Sequence, residues 1–128
     1  MDLRFGLDLV SVPAVARSIA DQGQRYLERV YTTGEILASG GAASPDPSRL
    51  AERFAVKEAT LKVLPAADEG LDFRSIELVC DAAGALSVRL HGRAAELAAA
   101  VGIARLRVSV TRDDRLAAAV VAAEVESN

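Results

Sequence analysis

The 128 residues carry 15 Lys and Arg against 18 Asp and Glu, a net charge of −3, with 51% hydrophobic and 26% charged residues. That balance excludes global disorder and argues against a general nucleic-acid binder, which carries a basic stripe. One Cys, Cys80, and one His, His91, exclude a disulfide framework and a Cys- or His-rich metal centre, so a metal would have to be a hard cation held by carboxylates. The length predicts a single domain over residues 1–128 with a core of its own. No apolar run reaches about 18 residues without a charge. Met1-Asp2-Leu3-Arg4 lacks the basic-then-apolar order of a signal peptide. The expectation is a cytoplasmic protein with neither a membrane nor a nucleic acid as partner.

Leu3 to Val10 alternate, with Leu3, Phe5, Leu7 and Leu9 on one face and Arg4, Gly6 and Asp8 on the other, which predicts a half-buried strand. Ser11 before Val12-Pro13 reads as an N-cap with proline in the first turn of a helix through Ile19. Gly23 interrupts that helix, and Arg25 to Tyr31 resume it. Thr32 and Glu35 stand at the spacing of a capping box for a short helix. The stretch 39–47, rich in Gly, Ser and Pro, predicts a mobile connection inside the domain. Ser48 to Leu64 reads as the main helix, stopped by Pro65. Ile76, Leu78 and Cys80 alternate with their neighbours, Asp81 to Gly84 form a turn, and Leu86, Val88 and Leu90 alternate again, so a hairpin is expected. Arg93 to Val101 form a helix closed by Gly102. Residues 105–110 alternate, Thr111 to Arg115 turn the chain, and Leu116 to Val125 form a buried last strand. The order predicts an α+β fold with helices packed on one face of a mostly antiparallel sheet.

On a helical wheel Leu50, Phe54, Leu61 and Leu64 share a narrow apolar arc. Lys57 falls inside it and Glu58 at its edge, where an amphipathic helix places apolar residues. A buried charge needs a partner or a ligand. One reading is a Glu58–Lys62 pair at i,i+4 with Lys57 snorkelling to water. The other joins Glu58 to Asp8, near the end of the first strand, as oxygen ligands for Mg²⁺, with phosphate groups of a substrate completing the shell and lysines neutralising them.

Gly6-Leu7-Asp8-Leu9-Val10, followed by Arg53-Phe54-Ala55-Val56-Lys57-Glu58-Ala59-Thr60-Leu61-Lys62, resembles holo-acyl-carrier-protein synthase, the short trimeric class of 4′-phosphopantetheinyl transferases. The resemblance continues through Arg29-Val30-Tyr31-Thr32 with Glu35, the turn Asp81–Gly84, His91-Gly92, and Val108-Ser109-Val110 with 117–121. It implies transfer of the phosphopantetheine arm of coenzyme A to a serine of an apo acyl carrier protein. It further implies a homotrimer whose sites lie between subunits. Asp8 and Glu58 would ligate Mg²⁺, and Glu58 with Lys62 would be the catalytic pair. Arg53, Lys57, Lys62, Gly84, Thr111 and Arg112 would bind or order the coenzyme A. Arg17, Arg25 and Arg29 would meet the acidic helix of the carrier. Two acceptors are left open for the serine proton, Glu58 or a water.

The sequence departs from the family pattern at several places. Thr111-Arg112 stands where Ser/Thr-His is usual, Leu116 where an aromatic is usual, and Gly84-Ala85-Leu86 where Gly-x-Pro is usual. Ser11 and Ala14 replace an acidic and a basic residue. Arg112 can grip a phosphate bidentately but cannot act as a base. His91 reads as a surface residue. Beside an active transferase with a divergent pocket, two other readings stand: a non-catalytic or repurposed homologue that binds a carrier or another phosphate ligand, and a structural oligomer-forming subunit.

Overall fold

The computed structural model describes residues 1–65 and 70–126. Strand β1, Asp2–Ser11, forms one edge of a three-stranded antiparallel sheet. The final strand β5, Leu116–Val125, lies at its centre, and β4, Ile103–Arg112, forms the other edge. Between them in the chain come helices α1 (Val12–Gln22), α2 (Gln24–Val30), α3 (Thr33–Ala38) and α4 (Pro47–Leu61), then the hairpin strands β2 (Ile76–Cys80) and β3 (Leu86–Leu90) and helix α5 (Gly92–Ala100). The α+β class and the antiparallel pairing agree with the sequence reading. The strands, however, form two sheets rather than one, because β2 and β3 pair only with each other among the described residues.

The local signals act as their chemistry requires. Ser11 Oγ accepts from the Ala14 amide at 3.2 Å, capping α1, and Gly23 at φ 57° breaks the helix before α2. Thr32 and Glu35 close a reciprocal capping box on α3. Asp81 Oδ1 accepts from the amides of Ala83 and Ala85, shaping the hairpin turn in which Gly84 takes φ 87°. The glycine-rich connection, expected to be mobile, is instead tied down. The Asp46 amide donates to Ser39 O at 2.7 Å and the Gly41 amide to Ile36 O at 2.9 Å. Asp46 then caps α4 by accepting from Ser48 N and Arg49 N.

Helix α4 is the centre of the molecule and touches β1, β5, β4, α1, α3 and β2. Its burial is far wider than the apolar arc on the wheel. Leu50, Ala51, Ala55, Val56 and Ala59 are fully enclosed. The inward positions of β5, namely Ala117, Ala119, Val121 and Ala123, are small and equally buried, which lets the helix lie close to the sheet. Contact is tightest at Gly6, where an added Cβ would stand 1.9 Å from the Ala59 carbonyl oxygen.

That contact reverses the expected orientation of β1. The Arg4-Gly6-Asp8 face meets α4, whereas Leu3, Phe5, Leu7 and Leu9 point away from it and are 57–65% exposed. The alternation was correctly read as a strand, but the apolar face is not the one the core covers. Only a glycine allows the helix this close, so the small residue, not the large ones, faces inward.

Candidate functional site

The close passage of α4 over β1 brings Asp8 beside the last turn of α4. Asp8 pairs across the sheet with Ala119, so its side chain stands on the helix-bearing face. Lys62, the C-cap residue of α4, donates to Leu7 O at 2.6 Å and lies 3.3 Å from Asp8 Oδ1. It turns across to β1 instead of forming the i,i+4 pair with Glu58. Glu58 is half-buried on the same turn. Burial first, and then the Asp8 carboxylate, push its carboxyl above the ordinary value, while Lys62 opposes the shift. Two carboxylates and an ammonium therefore share one small field.

This donor set suits Mg²⁺. No group of three or more His, Cys, Asp or Glu side chains able to hold a metal occurs among the described residues. Asp8 and Glu58 are two hard oxygen donors, and Mg²⁺ takes one or two carboxylates while keeping sites for water and phosphate oxygens. The mutual repulsion felt by Glu58 is the kind of strain that a divalent cation relieves.

Of the two roles expected of Lys57, binding or ordering the site, its contacts are those of an ordering residue, and it does not snorkel to water. Its side chain is completely buried, and its ammonium donates to Glu35 Oε1 at 2.7 Å, to Phe73 O at 2.9 Å and to Ile76 O. An ammonium has three donors, so none remains for a phosphate. Burial pulls Lys57 below the usual lysine range, with Glu35 opposing. Glu35 Oε1 also accepts from Thr32 N, and its other oxygen accepts from Leu78 N at 3.0 Å. One ion pair thus ties α3, α4 and β2 together. The sequence signalled Glu35 as a capping residue and as part of the resemblance, but not as the partner of Lys57, which is 22 positions away.

Arg112, the last residue of β4, lies at the other end of α4. Its Nε is 3.2 Å from Glu52 Oε2, and its Nη1 donates to Ser48 Oγ at 2.8 Å. Ser48 and Glu58 are ten positions apart, about 15 Å along a helix. Arg112 and the Asp8–Glu58–Lys62 group are therefore separate within one chain. Arg53 stands beside Glu52, with Nη1 3.6 Å from Glu52 Oε1, and donates to Arg49 O. It is only 5% exposed, and its Nε is buried without a partner among the described residues, so Arg53 backs this corner rather than lining it. Sequence reading missed Glu52 and Ser48, which look like ordinary solvated positions of a helix.

Thr111 and Arg112 border a depression of about 360 Å³ shared with Leu9, Asp113, Leu116 and Ala118. It opens beside the exposed apolar face of β1. Gly84 sits at the hairpin tip, where a Cβ would meet open space among the described residues. His91 is an exposed residue hydrogen-bonded to Glu77 Oε1 at 2.9 Å. Arg17 on α1 and Arg25 and Arg29 on α2 are all exposed, the last two one helical turn apart. No helix among the described residues is long and apolar enough to cross a membrane.

The profile of the 4′-phosphopantetheinyl transferase superfamily matches residues 4–121, and the chain belongs to that family. Within it, the chain is similar to curated holo-acyl-carrier-protein synthases. That of Chloroflexus aurantiacus is 39% identical over 133 residues, covering 94% of this chain and 97% of the relative. The ACPS–CoA complex of Chronobacterium ammoniagenes superposes with a TM-score of 0.85 at 27% identity, over 99% of this chain and 100% of that one. The Helicobacter pylori holo-acyl-carrier-protein synthase in complex with coenzyme A gives a TM-score of 0.81 at 25% identity, over 94% of this chain and 100% of that one.

Proposed function

We propose that this protein transfers the 4′-phosphopantetheine arm of coenzyme A to a serine of an apo acyl carrier protein. The observation that carries the reading is the meeting of Asp8, Glu58 and Lys62 where Gly6 admits α4 against β1. Phosphoryl transfer asks a protein mainly for positioning and for stabilisation of charge. Asp8 and Glu58 would hold Mg²⁺, which supplies Lewis-acid stabilisation and a template for phosphate oxygens. Lys62, more than half exposed, offers its ammonium to the charge that develops as the serine oxygen bonds to phosphorus and adenosine 3′,5′-bisphosphate departs.

The working unit is a homotrimer. Leu3, Phe5, Leu7 and Leu9 on β1, with Leu116 and Val120 on β5, form a continuous exposed apolar face. Such a patch marks an interface, and a closed ring of identical chains covers it. The depression at Thr111 and Arg112 adjoins that face, so a neighbouring chain can supply these residues to the Asp8–Glu58–Lys62 group they do not reach in their own. With its hairpin tip at Gly84, the same neighbour would complete the coenzyme A pocket. Arg17, Arg25 and Arg29 present positive charge to the acidic helix of the carrier.

The test is intact-mass measurement of an apo carrier protein incubated with this protein, coenzyme A and Mg²⁺. The expected result is a gain of one phosphopantetheine that disappears on chelation. Coenzyme A binding without any gain, across several carriers, would favour a binding homologue that has lost the transfer step.

A further inference from the structure

Glu52 has no role in any of the chemistry above, yet its carboxylate is shared by two guanidinium groups. Oε2 lies 3.2 Å from Arg112 Nε and Oε1 lies 3.6 Å from Arg53 Nη1. Its side chain is 14% exposed, so this is a sheltered contact between α4 and the end of β4, not a solvated surface pair. Ser48 completes the arrangement. Its hydroxyl donates to Asp46 Oδ1 at 2.9 Å and accepts from Arg112 Nη1 at 2.8 Å. Arg112 is thereby held at two of its atoms against the start of α4, Nη1 by the hydrogen bond to Ser48 and Nε by the ion pair with Glu52.

We propose that Glu52 is a positioning residue for coenzyme A. It clamps the Arg112 guanidinium so that the remaining donors form a rigid fork for a phosphate group of the substrate. The proposal rests on the transferase reading given above. An arginine on a strand end is otherwise long and mobile, and ordering it on binding costs affinity that a pre-set fork avoids. Arg112 stands next to the depression bordered by Thr111 and is 32% exposed, so the clamped group stays accessible to a ligand. Arg53, buried behind Glu52, keeps that carboxylate from swinging away.

A second effect opposes this one. Removing Glu52 also removes a negative charge near the phosphate, which by itself would tighten binding. Glu52→Gln and Glu52→Ala separate the two, because glutamine loses the charge but keeps an acceptor for Arg112 Nε. If positioning dominates, Glu52→Ala raises KM for coenzyme A about fivefold with little change in kcat. Glu52→Gln stays near wild type, and Glu52→Ala adds little to Arg112→Ala because both remove the same fork. Lowered KM in both variants, or additive effects with Arg112→Ala, would overturn the proposal. So would a fall in Tm with KM unchanged, the signature of a packing role alone.

Binding and clamping can be told apart in the protein without substrate. The Arg112 Nε–H signal in nitrogen NMR, assigned by its loss in Arg112→Ala, is expected to exchange slowly in wild type and fast in Glu52→Ala. Fast exchange in wild type refutes the clamp. If wild type neither binds nor turns over coenzyme A, the transferase reading fails and with it the substrate role of the clamp, whatever the exchange rate.

Discussion

Gly6→Ala is the most informative perturbation, because it adds one methyl group at the contact that builds the site. The new Cβ would stand 1.9 Å from the Ala59 carbonyl oxygen and 2.9 Å from its carbon, and real Cβ contacts do not fall below 3.0 Å. Helix α4 must therefore retreat from β1 by about 1.1 Å, the shortfall between those two oxygen distances. The obstacle is backbone on both sides, so no side chain can rotate to absorb it. Overpacking of this kind costs about 1–3 kcal/mol. At roughly 4 °C per kcal/mol for a chain of this size, Tm falls by about 4–12 °C. The larger effect is on function, since Glu58 and Lys62 ride on α4 and Asp8 on β1. A displacement of about 1 Å between reacting groups costs on the order of 100-fold in rate. Thermal unfolding followed by circular dichroism, with the rate of phosphopantetheine transfer measured well below Tm, checks both effects. Unchanged Tm and an unchanged rate would refute the claim that this contact sets the site.

Lys57→Met leaves Glu35 buried without its cation and is expected to cost about 3–5 kcal/mol in urea unfolding. Adding Glu35→Gln should recover part of that loss; a stable Lys57→Met protein with weakened coenzyme A binding would instead return Lys57 to the pocket. Glu58→Gln should abolish transfer while leaving the fold intact. The pH dependence of its stability has a definite sign. Glu58 is raised above 4.5 in the folded chain, so its ionised form costs stability above the folded value, and that cost fades as pH falls toward 4.5. Glu58→Gln should therefore be at least as stable as wild type at neutral pH, with the difference vanishing in acid. A variant less stable at neutral pH would contradict the strained-carboxylate account. Phe5→Glu places a charge within the exposed apolar face and should yield monomers by light scattering, with loss of transfer; a trimer that persists would put the interface elsewhere.

Much of the local structure was legible in the sequence because its causes are local. Ser11, Thr32 with Glu35, and Asp81 with Gly84 act on backbone groups within four residues, so their spacing is their geometry. Residues Asp8, Glu58 and Lys62 were also visible. An acid in an apolar strand and Glu58, which with Lys57 stands in or at the edge of the apolar arc of the main helix, violate the pattern that packing alone would produce, and the resemblance added Lys62 to the catalytic pair. The meeting of Asp8 with Glu58 was one of two readings open from the residues, and its physical means is the Gly6–Ala59 contact.

What only the tertiary structure decided are matters of partner and face. Alternation shows that Leu3, Phe5, Leu7 and Leu9 share a side of β1, but not that the chain's own helix lies against the other side. Lys57 is next to Glu58 in sequence, yet the two point into different surroundings, one to a buried carboxylate 22 residues away and the other toward Asp8. Glu52 became notable only when β4 returned to α4 and delivered Arg112 across 60 positions of chain. Periodicity records which residues lie on one face of an element; it carries no information about what that face meets, because packing partners are set by contacts distant in sequence.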